Sequence, residues 1–320
     1  MRIFGYFSAQ KRQLLANSDC LKKGLYYLHG NFRTYLYLGT RHNVIDFPEG
    51  SAGIKHAIKL LIGRIFYSVW IPKDGEKFQA DAVYFANTGF LDDRDTKLFS
   101  YKSEDKTVLT RSIDRQHYSM YMSNRAKASK NFPLPDLIYQ DDALCMYAER
   151  IVGGISWRED EERARLVYLK LFGFYKNYYS FAKLCNYLIS ENERCAQPSE
   201  IQEPDKCMTA LHHGDLSSDN FKVQENHEII FMDFEHADFF PLYYDVFFLI
   251  FNEAVVNGNF FGYNLLLNGE FDGYFKNCSE KKNYLTAFMH CFWHRRLGRV
   301  NSETYKKLYL DLYKTAIGRQ

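Results

Sequence analysis

The clearest hydrophobic pattern in the chain lies in residues 54–69, where apolar side chains recur every three or four positions. This spacing places them on one face of an amphipathic helix. Ser51 is a suitable N-cap for this helix, and Pro72 would end it. The opposite face carries the basic residues Lys55, His56, Lys59 and Arg64. The pattern predicts a helix that either packs on a domain or contacts anionic lipid at a membrane surface.

Short apolar runs separated by polar segments follow in residues 81–153 and predict a small α+β region. Residues 96–101 and 106–111 flank a polar connection and predict a β-hairpin. A helix is expected near residues 118–130, and a further strand through residues 144–149. Strands on both sides of one helix indicate a compact β-rich unit.

From Arg158 onward the hydrophobic pattern is helical. Four acidic residues at 159–162 stand where a helix N-terminus favours negative charge, and this helix is expected to reach Tyr179. A second helix is predicted from Phe181 to Glu193, and further helices from Tyr244 to the end of the chain. The carboxyl-terminal half is therefore expected to be mainly helical.

The composition is that of a globular protein, with 46% hydrophobic and 25% charged residues among 320. A net charge of +2 predicts no nucleic-acid partner, because such partners require a marked basic excess. No uncharged apolar stretch reaches the 18 or more residues of a membrane span, so no transmembrane segment is expected. Seven scattered cysteines without a C-x-x-C pair predict a reduced, cytoplasmic setting.

The chemistry of the chain is concentrated in one motif and the strand that follows it. The motif runs His213-Gly214-Asp215-Leu216-Ser217-Ser218-Asp219-Asn220, followed by Phe231-Met232-Asp233-Phe234-Glu235. Phosphoryl transfer requires a carboxylate that orients and deprotonates the acceptor hydroxyl, together with oxygen ligands that hold Mg²⁺ on the phosphates. Residues 221–224 and 229–232 are short apolar runs around a polar connection and predict a hairpin. That hairpin would bring Asp233 beside Asn220.

This motif resembles the catalytic loop and metal-binding strand of the aminoglycoside phosphotransferase and choline kinase superfamily. Its members carry H-G-D-x-x-x-x-N and then an apolar strand that ends in D-F-E or D-W-E. The resemblance implies that Asp215 is the catalytic base and that Asn220 and Asp233 are the metal ligands. It also implies that His213 braces the catalytic loop and that Asp245 is a buried structural aspartate.

The same resemblance implies an α+β, two-lobed protein-kinase-like fold with a small β-rich N-lobe and a larger, mainly helical C-lobe. We therefore expect residues 1–80 to be an N-terminal extension, 81–153 the nucleotide-binding N-lobe, and 154–320 the C-lobe with the catalytic loop, metal site and acceptor site. The implied activity is ATP- and Mg²⁺-dependent phosphorylation of a hydroxyl on a small molecule: a sugar, an amino-alcohol such as choline, or an aminoglycoside.

The N-lobe departs from the family pattern, since no G-x-G-x-x-G loop is present. Arg111 matches the strand lysine that contacts the nucleotide phosphates, while the helix glutamate expected to pair with it falls at Arg125. Glu149 and Ile151 match the strand that hydrogen-bonds adenine through its backbone, although an edge strand without ATP would show the same pattern. The alternative is a catalytically degenerate kinase-fold protein that binds a nucleotide or ligand without phosphoryl transfer. Weak peripheral membrane contact through residues 54–69 is compatible with either hypothesis.

Overall fold

The chain folds into two compact units, each with its own hydrophobic core. The computed structural model describes residues 11–12, 14–28, 34–37, 68–76, 78, 80, 82–85, 95–100, 106–112, 114–189 and 193–318. One unit comprises Met1–Met120 with Pro135–Ile151, and the other comprises Tyr121–Leu134 with Val152–Gln320. Within the described ranges, no helix combines the length and apolarity that crossing a membrane requires. All seven cysteines belong to these ranges and are free thiols.

In the described part of the first unit, eight strands form one sheet in which every neighbouring pair is antiparallel. Its strands are β1 Gly24–Leu28, β2 Thr34–Tyr37, β3 Val69–Ile71, β4 Ala82–Phe85, β5 Asp95–Ser100, β6 Thr107–Ser112, β7 Leu137–Asp141 and β8 Met146–Arg150. They lie in the order β3-β1-β2-β4-β5-β6-β8-β7. Helix α1, Arg115–Ala128, follows β6 in the chain.

The predicted hairpin of residues 96–101 and 106–111 is confirmed by the pairing of β5 with β6. Leu98 and Leu109 face each other across this pair and are both buried in the core of the first unit. Helix α1 confirms the helix expected near residues 118–130, and β8 confirms the strand expected through 144–149.

The structure differs from the prediction at the amino-terminal end of this sheet. Val69 lies in β3, so its assignment to the amphipathic helix is wrong. The buried Val69 and Ile71 alternate with the exposed Trp70, which is the period of two expected for a strand. Residues 51–67, which contain the predicted Ser51 cap and most of the predicted helix, lie outside the described residues. Because β1, β2 and β3 pair within the same sheet as β4–β8, the predicted boundary at residue 80 is not a boundary of the sheet.

The second unit is mainly helical, as predicted, and contains two small sheets. Its helices are α2 Glu161–Tyr179, α3 Tyr244–Val256, α4 Phe261–Leu267, α5 Cys278–Arg295 and α6 Glu303–Gly318. Its strands are β9 Cys185–Asn186, β10 Met208–His212, β11 Phe221–Val223, β12 Ile229–Phe231 and β13 Asp238–Pro241. Strands β13, β10 and β9 form one antiparallel sheet, and β11 and β12 form a hairpin. The α+β class is therefore confirmed.

Helix α2 begins where local chemistry favours a helix N-terminus. The side chain of Asp160 accepts a hydrogen bond from the Arg163 N–H at 3.0 Å, and two glutamates follow in the first turn. The helix buries one apolar face of Ala164, Val167, Tyr168, Leu171, Phe172, Tyr175 and Tyr178. The prediction that helix resumes from Phe181 to Glu193 is wrong. Cys185 and Asn186 form β9 instead, because their backbone pairs with Met208 and Thr209 of β10.

The high aromatic content is used mainly in the core of the second unit. The ring of Phe132, for example, lies 5.2–6.1 Å, centroid to centroid, from those of Phe174, Tyr175, Tyr178, Phe231 and Phe234. Such contacts favour edge-to-face and offset geometries and fix the positions of the helices around them. Tyr175 and Phe231 link this core to the segments that carry the predicted site.

Candidate active site

The predicted catalytic loop begins where β10 ends. Strand β10 is the middle strand of its sheet, and His212 pairs with Asp238 of β13. Residues 213–220 then turn away from the sheet and lead into β11. Strand β13 pairs with β10 as far as His212, so backbone pairing holds the residue from which the loop starts.

The Asp245 carboxylate is hydrogen-bonded to the start of this loop. Its carboxylate is fully buried in the first turn of α3 and accepts the N–H groups of His213 and Gly214 at 2.8 and 2.9 Å. Tyr175 of α2 donates its hydroxyl to the same carboxylate at 2.5 Å. Burial and the neighbouring Asp245 raise the pKa of Tyr175 well above its ordinary value, so the hydroxyl stays protonated as a donor. The buried, structural position implied for Asp245 is the one observed.

Gly214 is required by this arrangement for two reasons. Its φ of +80° lies in the left-handed region, where side chains with a Cβ are strained. A Cβ at this position would also lie 2.3 Å from the backbone oxygen of His236 and 2.6 Å from the ring of Phe240. The loop can therefore lie this close to its neighbours only with glycine here.

His213 links the loop to the end of strand β12. Its Nε2 lies 2.5 Å from the carbonyl oxygen of Met232, and its Nδ1 lies 3.3 Å from the amide nitrogen of Asp215. A carbonyl can only accept and an amide N–H can only donate, so the ring carries its proton on Nε2. The side chain is fully buried, and both of its ring nitrogens contact backbone atoms.

The hairpin of β11 and β12 brings the predicted metal ligands to one end. The predicted pairing is observed, with Phe221 opposite Phe231. Beyond that pair, the Met232 N–H donates to the backbone oxygen of Asn220 at 2.9 Å, and Asp233 is the next residue. The Asn220 side-chain amide donates to the backbone oxygen of Asp215 at 2.7 Å, so its Oδ1 is the atom suited to a cation.

Asp233 has φ and ψ both at 63°, a left-handed conformation that is uncommon for a residue other than glycine. This conformation ends β12 and starts a short 3-10 helix, Phe234–His236. Strained backbone of this kind is concentrated at functional sites. Sequence patterns did not indicate it.

The donor atoms of Asn220 and Asp233 fit magnesium in chemical type. Mg²⁺ takes hard oxygen ligands and commonly uses one or two carboxylates, with water and substrate phosphates completing the octahedron. In the part of the chain that the structure describes, no group of three or more His, Cys, Asp or Glu side chains is arranged to hold a metal. The Asn220 amide oxygen and the Asp233 carboxylate, at the end of one hairpin, would supply part of such a magnesium coordination shell.

Asp215 has a partner that the sequence motif does not contain. Its Oδ1 lies 2.5 Å from Nη1 of Arg296, the residue that follows α5. Both side chains are about one-third exposed or less, at 32% for Asp215 and 27% for Arg296. The only sequence signal for Arg296 is a basic pair at the end of a predicted helix, a position where cations are common.

The predicted nucleotide residues all lie in the first unit. Arg111 is on β6, and its Nη1 lies 3.3 Å from Oδ1 of Asp19 and 3.3 Å from Oδ1 of Asn17. Arg111 therefore has an acidic partner in Asp19, near the amino terminus, whereas the position where the resemblance implies a glutamate is Arg125. Sequence spacing could not find this partner, because it is separated from Arg111 by 92 residues.

Glu149 and Ile151 lie at the end of β8, which is flanked by β6 and β7 and is not an edge strand. The Ile151 N–H donates to the backbone oxygen of Lys106 at 2.7 Å. An adenine ring that uses this N–H would have to replace that hydrogen bond.

No protein-family model matches the chain, and no curated protein matches it. Its fold is similar to several solved phosphotransferase structures. A choline/ethanolamine kinase family protein from Mesorhizobium loti has 12% identity and a TM-score of 0.43, covering 71% of this chain and 87% of that one. Choline kinase LicA from Streptococcus pneumoniae has 10% identity, a TM-score of 0.42, and coverage of 74% and 93%. Aminoglycoside phosphotransferase APH(4)-Ia, bound to ADP and hygromycin B, has 11% identity, a TM-score of 0.48, and coverage of 75% and 95%. Similarity at this level assigns no activity, nucleotide or acceptor to this chain.

Proposed function

We propose that the protein is a small-molecule kinase that transfers the γ-phosphoryl group of ATP to a hydroxyl group. The observation that carries this proposal is the hydrogen-bonded connection of Asp215, Asn220 and Met232 at 2.7 and 2.9 Å, with Asp233 next in the chain. A carboxylate base and two oxygen ligands for the metal are the parts that phosphoryl transfer needs from a protein.

In this proposal each residue has one task. Asp215 orients the acceptor hydroxyl and receives its proton, while Asn220 and Asp233 hold Mg²⁺, which neutralises the developing charge on the phosphates. His213 and Asp245 keep the loop in place through the contacts described above. Arg111, paired with Asp19, and the backbone at Glu149 and Ile151 are the proposed nucleotide contacts.

A second candidate is a kinase-fold protein that binds a nucleotide or another ligand without transferring phosphate. Two observations favour it. The Ile151 N–H proposed for adenine donates to Lys106, and the proposed base Asp215 is in contact with a cation, Arg296.

The acceptor in the first candidate is a sugar, an amino-alcohol such as choline, or an aminoglycoside.

Thermal unfolding with ATP, with and without Mg²⁺, tests the proposal. At a ligand concentration 100-fold above Kd, binding stabilises by about 2.7 kcal/mol, a rise in Tm of roughly 5–11 °C. We expect this rise only with Mg²⁺ and expect Asp233→Ala to abolish it. Asp219→Ala is the matched control, because Asp219 is on the same loop but is 88% exposed and pairs with Arg158.

Transfer of radiolabelled phosphate from ATP to choline, ethanolamine, hygromycin B and simple sugars then separates the two candidates. Transfer by the wild type that is lost in Asp215→Asn supports the kinase. Mg²⁺-dependent ATP binding without transfer to any acceptor or to water supports the binding protein. A Tm that responds to neither ATP nor Mg²⁺ refutes nucleotide binding in both.

A further inference from the structure

The proposed base Asp215 is held by a residue that lies 81 positions away in the chain. The Arg296 guanidinium contacts Oδ1 of the carboxylate at 2.5 Å, and no contact of comparable strength is found for Oδ2 among the described residues. Hydrogen bonds between an ionised donor and an ionised acceptor are shorter and stronger than neutral ones. One oxygen of the base is therefore engaged, and the other is left for a substrate.

The position of Arg296 is set before any substrate binds. Its backbone leaves the helical conformation, with φ −138° and ψ −65°, while its N–H still donates to Phe292 at 3.0 Å. The next residue, Leu297, is fully buried at the start of a 3-10 helix, so the chain cannot shift easily at this point. The guanidinium lies 5.4 Å from the centroid of the Phe248 ring, a distance at which cation–π attraction holds it further.

The preceding residue, Arg295, provides a comparison, because its ion-pair partners lie outside the catalytic motif. Arg295 forms ion pairs with Glu193 at 3.2 Å and Asp238 at 3.1 Å, and it lies over the ring of Phe240. Its charge is matched by two carboxylates outside the catalytic motif. Arg296, in contrast, has its ion pair with the proposed base itself.

We infer that Arg296 is a positioning residue for Asp215, an inference that rests on the proposed kinase function. Arg296 holds Oδ1 so that Oδ2 faces the acceptor hydroxyl. In the reaction, that hydroxyl gives its proton to Oδ2, its oxygen forms the new bond to the γ-phosphorus, and the bond to the β-phosphate oxygen breaks, so that ADP leaves with the electron pair. In a loose transition state the base is needed more for orientation than for strong basicity, so a cation beside it is compatible with catalysis.

The test is a kinetic double-mutant cycle in the full chain, with Arg296→Gln, Asp215→Asn and the double variant. The readouts are phosphate release from ATP to water and transfer to the acceptor panel above. We expect Arg296→Gln to lower kcat by about tenfold to a hundredfold, the range for a misplaced catalytic group, while KM for ATP stays within about twofold. Arg296→Lys, which keeps the charge but not the planar geometry, should restore part of kcat.

The decisive comparison is made in the Asp215→Asn background. If Arg296 acts through Asp215, adding Arg296→Gln to Asp215→Asn lowers the residual rate no further. If Arg296 has a merely structural role, Arg296→Gln lowers the rate by the same factor in the wild type and in Asp215→Asn. Arg299→Gln is the matched control, since Arg299 is an exposed arginine on the adjacent 3-10 helix whose side chain, among the described residues, donates to the backbone oxygen of Glu193. Thermal unfolding of every variant confirms that each one is folded.

The outcomes separate this inference from the proposed function. If the wild type is active, Asp215→Asn is not, and Arg296→Gln keeps the wild-type kcat, then Arg296 is not a positioning residue and the kinase proposal stands. Additive losses in the cycle have the same meaning. If the folded wild type transfers phosphate neither to water nor to any acceptor, while it binds ATP, the kinase proposal and this inference are both overturned.

Discussion

Removing one hydroxyl from helix α2 should loosen the catalytic loop without disturbing the core. In Tyr175→Phe the ring stays in place, but the hydrogen bond to Asp245 is lost. Hydrogen bonds to charged groups contribute about 1.5–3 kcal/mol, so we expect a fall in Tm of roughly 3–12 °C. Asp245 keeps its bonds to His213 and Gly214 and the variant should fold. These residues lead directly to Asp215. If the full 1.5–3 kcal/mol is lost from transition-state stabilisation, kcat should fall by about tenfold to a hundredfold, and this is the upper limit of the expected effect.

The measurements for this prediction are thermal unfolding and the initial rate of phosphate transfer at saturating ATP. Tyr313→Phe is the matched control, because Tyr313 is also a buried tyrosine but donates to the neutral hydroxyl of Thr286 at 3.2 Å, away from the loop. We expect the control to lose about 1 kcal/mol of stability and no activity. Unchanged Tm and kcat in Tyr175→Phe, or an equal loss of kcat in Tyr313→Phe, would refute the proposed support of the loop.

Two further predictions concern the same loop. Gly214→Ala should unfold the loop and abolish activity, because it adds a clash with the His236 backbone to the strain of a positive φ. Gly258 also has a positive φ, +67°, but has open space around it, so Gly258→Ala should lower the free energy of unfolding by only about 1–2 kcal/mol, measured by thermal unfolding. Burial lowers the pKa of His212 below its ordinary value of 6.5. As the pH drops below about 6.5, the unfolded chain therefore binds a proton at His212 before the folded chain does. The free energy of unfolding should be highest above that pH and should fall below it. Tm measured from pH 7.5 to 5.5 should fall less steeply in His212→Gln than in the wild type, and equal slopes would contradict the prediction.

The elements that the sequence predicted correctly are those whose causes are local. The acidic cap of α2, the β5–β6 hairpin and the hairpin after Asn220 depend on residues within a few positions of one another, so their turn chemistry and alternation are visible in the sequence. The convergence of Asn220 with the end of β12 follows from that second hairpin. The contact between the His213 ring and the Asp215 N–H is likewise local, because the two residues are neighbours in the motif.

Elements that depend on distant partners were missed or misassigned. The segment after Phe181 carries a pattern compatible with a helix, but Cys185 and Asn186 became a strand because β10 offers them backbone partners. Val69 fits a helical period equally well, yet β1 pairs with it. For such short apolar segments, pairing in the folded chain outweighs local propensity.

The sequence by itself determined which residues form the candidate site: Asp215, the proposed base, and Asn220 and Asp233, the proposed metal ligands, on one loop and one hairpin. Only the tertiary structure decided what surrounds that chemistry. Arg296 reaches Asp215 across 81 residues, and Asp19 reaches Arg111 across 92. An ion pair depends on the distance between charges in space, and folding alone sets that distance.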